Sequence, residues 1–142
     1  MTPDILDLYQ YADRRGIAVT WFPFARAESL SVLLPDGSCA IALDPWKLGT
    51  VAEETVCLAH ELGHCETAAF YTAAAPFALR ERMENRADRW AVQHLISPAA
   101  LSAALESGCC EVWELAERFG VTEDFMKKAL SLHLHGNLAA LA

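Results

Sequence analysis

The stretch AHELGHCE, Ala59 to Glu66, places two histidines four residues apart with a glutamate directly after the first. On a helix, at about 100° per residue, His60 and His64 lie about 40° apart in angle and one turn apart along the axis, so both imidazoles can reach one ion. Neutral imidazole is a preferred zinc ligand, and this spacing supplies the local half of a tetrahedral site. Glu61 lies on the same broad face. In that pattern it does not bind the metal but takes a proton from the water that zinc activates. The bland alternative is a helix with two surface histidines and a solvated glutamate, and in a chain of this composition the pattern arises by chance roughly once in a hundred.

A catalytic zinc needs three protein ligands and one open position, so a third ligand must come from elsewhere in the chain. Glu84 is the best candidate, and Asp88 follows it at i+4 on the same helical face. A carboxylate that accepts the second N–H of a ligand histidine fixes its tautomer and raises its basicity, which Asp88 can do for His60 or His64. Among Arg80, Arg82, Arg86 and Arg89 the two acids also fit a solvated face. The HExxH upstream favours the ligand role. For an additional donor to a developing oxyanion the candidates are Tyr71, Arg86, His133 and His135, and the sequence does not choose among them. Cys57, one turn before His60, is either a thiolate ligand or a small core residue, and the latter is the usual fate of a free cysteine in a helix.

These residues need a helix, and Thr50-Val51-Ala52-Glu53 has the form of a capping box that starts one in the right place, running through His64. Ahead of it, Thr2-Pro3 can cap a short helix with Ile5, Leu8, Tyr9 and Ala12 on one face, stopped by Gly16. GIAVTWFPF, SLSVLL and SCAIAL then read as three strands, the last two a hairpin turned at Pro35-Asp36-Gly37. Ser38 to Leu43 is either an edge that takes a peptide as an added strand or an ordinary internal strand. Residues 72–77 read as a loop, a charged helix begins near Leu79, and another runs from Ser97-Pro98 to Gly108. From Glu111 to about His133 two helices are broken at residues 119–122. Strands first and helices afterwards predict an α+β fold: a small N-terminal three-stranded sheet packed on the active-site helix, with a helical C-terminal half.

At 142 residues with 54 % hydrophobic content, the chain has the size of one domain, 1–142, with residues 97–142 as its helical tail. A net charge of −8 argues against direct nucleic-acid binding. The helix-turn-helix pattern in the tail carries Glu123 and Asp124 where base-reading residues would sit, so its apolar positions read as packing. MTPDILDLYQ lacks the features of a signal peptide and no apolar run is long enough to span a membrane, which makes a soluble cytoplasmic protein the expectation. Five cysteines without a CxxC pair read as free thiols.

HELGH at 60–64, Glu84-x-x-Ala87-Asp88-x-Trp90-Ala91, and then Leu95-Ile96-Ser97-Pro98 together resemble the ImmA/IrrE group of metallopeptidases. The resemblance extends over nearly the whole chain. It implies a zincin-like fold, one zinc ion per chain held by His60, His64 and Glu84, Glu61 as general base, and Asp88 as the acid supporting a ligand. It further implies an intracellular endopeptidase that cleaves a helix-turn-helix repressor of a phage or mobile element. The runner-up is a zinc-holding binding module that acts by docking without proteolysis.

Overall fold

The computed structural model describes residues 2–135; Met1 and residues 136–142 of the expected tail lie outside the described residues. The first helix, α1 (Ile5–Arg14), is capped by Asp4 and not by the expected Thr2-Pro3. Asp4 accepts from Asp7 N and Asp7 returns the bond to Asp4 N, so two backbone donors that the helix leaves unpaired are satisfied reciprocally. Leu8 and Ala12 are buried on its inner face.

Three strands follow: β1 (Ala18–Trp21), β2 (Ser29–Leu33) and β3 (Cys39–Leu43). The last two form the expected hairpin, in register from Ser29↔Leu43 to Leu33↔Cys39. Asp36 Oδ1 accepts from both Ser38 N and Ser38 Oγ in the turn, and Gly37 takes a φ of 89° that a side chain would disfavour. The sheet order is β1-β3-β2, with β1 parallel to β3. The strand that sequence offered as a substrate-binding edge is therefore the central one, and β2 is an edge. Burial follows that order: Ile41 and Leu43 on one face of the central strand are both 1 % exposed, whereas β2 alternates two half-buried serines with exposed Leu30 and Val32.

α2 (Val51–Thr67) lies under the sheet, capped by Thr50, whose hydroxyl accepts from Glu53 N. The other half of the expected box differs, since Glu53 Oε1 accepts from the Thr50 hydroxyl instead of from its backbone N–H. α3 (Phe77–Leu95), starting two residues before the expected point, packs on α2, and α4 (Pro98–Glu106), α5 (Val112–Phe119) and α6 (Glu123–Leu134) complete the helical half. The fold is α+β. Leu58, Leu62, Leu95, Ile96, Leu115 and Met126 form the centre of one core, so the helix-turn-helix-like tail spends its apolar face on packing.

Two features fix the helices around His60 and His64. Gly63 sits against Ala87, where an added Cβ would collide with the Ala87 carbonyl oxygen and lie 2.9 Å from its Cα, so α2 and α3 approach backbone to backbone. Cys39 and Cys65 form a disulfide that ties the start of β3 to the last turn of α2. The expectation of free thiols is corrected for this pair and holds for Cys57, Cys109 and Cys110. With the partners 26 positions apart in sequence, no local spacing could reveal them; the fold brings their Cα atoms to 5.9 Å, well within disulfide range.

Candidate metal centre

His60 and His64 project from one face of α2, and Glu84 reaches them from α3. Their Nε2 atoms are 3.2 Å apart. Glu84 Oε1 is 3.1 Å from His60 Nε2 and Glu84 Oε2 is 2.7 Å from His64 Nε2. Two nitrogens bound tetrahedrally at the usual zinc distance stand about 3.3 Å apart, so the donors are already at the separation that such an ion demands. One donor atom from each of the three residues lies within 4.8 Å of the others, and the group can hold a metal ion.

Ring orientation is fixed from behind. Asp88 Oδ1 lies 2.7 Å from His60 Nδ1, and the Ala69 carbonyl lies 2.5 Å from His64 Nδ1. With an acceptor at each Nδ1, the proton of the neutral ring belongs there and both Nε2 lone pairs face the cleft. The Ala69 carbonyl arrives because α2 ends at Ala68 in the left-handed conformation, φ 52°, which turns the chain back over His64. Of its two possible partners, Asp88 meets His60; its other oxygen accepts from Lys128 Nζ of α6 at 2.8 Å.

The charges are strongly coupled. Burial opposes a charge on His60, but its bonds to Asp88 and Glu84 outweigh burial and push its pKa up to about 10. His64 moves upward too, burial again being overcome by Glu84 and the Ala69 carbonyl. Hydrogen bonds from the two histidines hold the Glu84 carboxyl well below its ordinary range. For Asp88, burial is overridden by His60 and Lys128, and its pKa falls. Positive charge on the imidazoles and negative charge on Glu84 thus favour one another.

Glu61 is 6 % exposed and accepts from Ser29 Oγ at 2.6 Å. Both line a cavity of about 180 Å³, together with His64, Tyr71 and Glu84. Ser29 was absent from the sequence reading, although a signal existed: the alternation in SLSVL puts the serines on one face, and that face meets α2. The loop leading to Ser29 is pinned by buried Asp44, which accepts from Phe24 N and Trp46 N, and by Lys47, which donates to the Phe24 and Ala27 carbonyls. Among the four candidate oxyanion donors, Tyr71 enters the cavity and donates to Glu84 Oε2 at 3.1 Å, while His133 Nε2 pairs with the Ile96 carbonyl. Arg86 and His135 are exposed and do not line this cavity. Cys57 is not among the grouped donors.

A histidine pair with an intervening glutamate on one helix, a glutamate from the next helix, and a sheet edge alongside define the zincin arrangement. Within that class the chain belongs to the peptidase family described as Peptidase_M78, IrrE N-terminal-like domain, whose model matches residues 12–131. No curated protein and no solved structure matches the chain. No helix among the described residues is long and apolar enough to cross a membrane.

Proposed function

We propose that this protein is a zinc-dependent endopeptidase. The observation that carries the reading is that His60, His64 and Glu84 converge as a His2Glu donor set while Glu61, not itself needed as a ligand, is held beside them by Ser29. Bound zinc supplies Lewis acidity and lowers the pKa of water toward neutrality. Glu61, one oxygen fixed by Ser29, accepts a proton from the attacking water on its other oxygen and returns it to the leaving amine. Tyr71 has its hydroxyl in the same cavity, where it donates to Glu84 Oε2; on releasing that bond it would donate where negative charge develops. The outer edge of β2 pairs with no strand among the described residues, which allows a peptide to add there in extended form.

The proposed substrate is a helix-turn-helix repressor. The resemblance to the ImmA/IrrE group implies such a substrate, and a net charge of −8 suits a basic protein partner such as a DNA-binding domain. The test compares zinc-loaded wild type with Glu61→Gln on the repressor encoded beside this gene, with fragments identified by mass spectrometry. The expected result is one zinc in each protein and a cleavage rate lowered by about 10²–10⁴-fold in the variant. A wild type that holds zinc but leaves the repressor intact would point to the docking module instead, and equal cutting by both proteins would remove Glu61 from its role.

A further inference from the structure

Lys128 of α6 donates from Nζ to Asp88 Oδ2 at 2.8 Å, while Asp88 Oδ1 accepts from His60 Nδ1 at 2.7 Å. One carboxylate thus joins a histidine of the metal centre to a helix that supplies no ligand. Lys128 has a nearer acid to choose. Asp124 stands one turn before it on α6, at the i, i+4 spacing and in the acid-first order that favour a helical ion pair. The lysine crosses to α3 instead. Lys127 beside it is exposed and makes no ion pair among the described residues.

α6 does not need this bond to stay in place. Phe125, Met126 and Ala129 are at most 4 % exposed in the core, and His133 Nε2 pairs with the Ile96 carbonyl at the end of α3. What the bond fixes is Asp88. The terminal torsion of an aspartate is broad and roughly two-fold, so a carboxylate bonded through one oxygen can swing, and one bonded through both is held. The two histidines differ in this respect. His64 leans on the backbone carbonyl of Ala69, which has no side-chain torsion to lose, whereas His60 leans on a side chain that must itself be steadied.

We propose that Lys128 is a positioning residue of the metal centre, a role that rests on reading His60, His64 and Glu84 as zinc ligands. By holding Oδ2 it keeps Oδ1 on His60 Nδ1, and so aims the His60 Nε2 lone pair at the ion. The sign of the effect separates positioning from simple charge. A lysine acting only through its charge repels a bound cation, so its removal would tighten zinc binding. A positioning lysine gives the reverse. The ion pair is also open to water, with Lys128 49 % exposed, so its loss should scarcely alter folding.

The experiment measures zinc affinity by chelator competition and metal-free stability by chemical denaturation, both in the full chain. Lys128→Met is expected to bind zinc about three- to tenfold more weakly, less than the roughly 10- to 100-fold that follows loss of a group bonded directly to a ligand. Its metal-free denaturation midpoint should stay near that of wild type. Lys128→Arg keeps a charged donor and should retain most of the affinity. Lys127→Met removes the same charge from the same helix and should bind zinc as tightly as wild type, or more so. In an Asp88→Asn background, itself weaker for zinc, adding Lys128→Met should cost nothing further, because the carboxylate that the lysine holds is gone. Should Lys128→Met fail to fold, Lys128→Ala serves the same comparisons. Affinity in the Lys128 variant equal to or above wild type overturns the positioning role and leaves the ligand reading intact. An equal loss with and without the Asp88 carboxylate overturns it too, since the lysine would then act by another route. A wild type that binds no zinc overturns both.

Discussion

His60 carries a proton at neutral pH in the metal-free chain, because the bonds to Asp88 and Glu84 outweigh its burial and lift its pKa to about 10. A cation must displace that proton, so metal affinity is linked to pH. The expected behaviour is a zinc affinity that rises by about tenfold per pH unit between roughly pH 7 and 9, read by chelator competition. Affinity that stays flat over this range would mean that the ring is already neutral before metal binds. The sign for folding runs the other way. His60 is raised above its unfolded value of about 6.5, so its contribution to stability is complete below that pH and is lost as pH rises toward 10. Metal-free protein is therefore expected to lose denaturation resistance between pH 6.5 and 10, a slope that zinc removes by taking the proton's place. At this scale the sequence was legible where chemistry is local. His60, Glu61 and His64 share one helix and Asp88 follows Glu84 by one turn, so spacing alone could group them. Ser29 and Lys128 reach their partners from 32 and 40 residues away, and no helical or strand period encodes such a distance.

Glu84 can meet the two histidines only if α3 comes close to α2, and Gly63 is what permits it. Inside a helix glycine costs about 0.5–1 kcal/mol relative to alanine, so on propensity alone Gly63→Ala should stabilise α2. The contact reverses the sign, because the obstacle is the Ala87 backbone, which cannot turn aside as a side chain would. We expect Gly63→Ala to destabilise the metal-free protein by about 1–3 kcal/mol in chemical denaturation and to weaken zinc binding as α3 is displaced. A stabilised variant with unchanged zinc affinity would show that the helices are not held at this distance. Elements with local signals were readable in the same sense: the Thr50 cap, the Pro35-Asp36-Gly37 turn, and the break at 119–122 all lie where side chains talk to their own backbone. Which strand is central was not readable, because the parallel pairing of β1 with β3 joins segments separated by the whole of β2. Consequently β2 is an edge strand, as is β1, and it is β2 that brings Ser29 to Glu61.

Across the whole molecule, sheet and helical half are joined both by the core and by the Cys39–Cys65 disulfide, which spans the sheet and the helix that bears the histidines. Cysteine counting failed here for a definite reason: five residues cannot all pair, and neither an odd total nor the absence of CxxC shows which two the fold brings together. Closing a loop of 26 residues removes conformational freedom from the unfolded chain, and the chain-entropy relation puts the resulting stabilisation at about 3–4 kcal/mol. The crosslink acts on the unfolded chain, whereas zinc acts by binding the folded one, so their effects should be separable. Metal-free protein treated with a thiol reductant is expected to melt roughly 10–15 °C below the oxidised form, and the Cys39→Ser/Cys65→Ser double variant should melt near the reduced value whether or not reductant is present. Zinc should raise the melting temperature of all three forms, because the ligands on α2 and α3 are held by Asp88, the Ala69 carbonyl and the Gly63 contact rather than by the crosslink. A wild type whose melting temperature ignores reductant would show that the two sulfurs are not joined in the protein, and loss of zinc binding on reduction would show that the disulfide, not the helix pair, sets the geometry of the histidines.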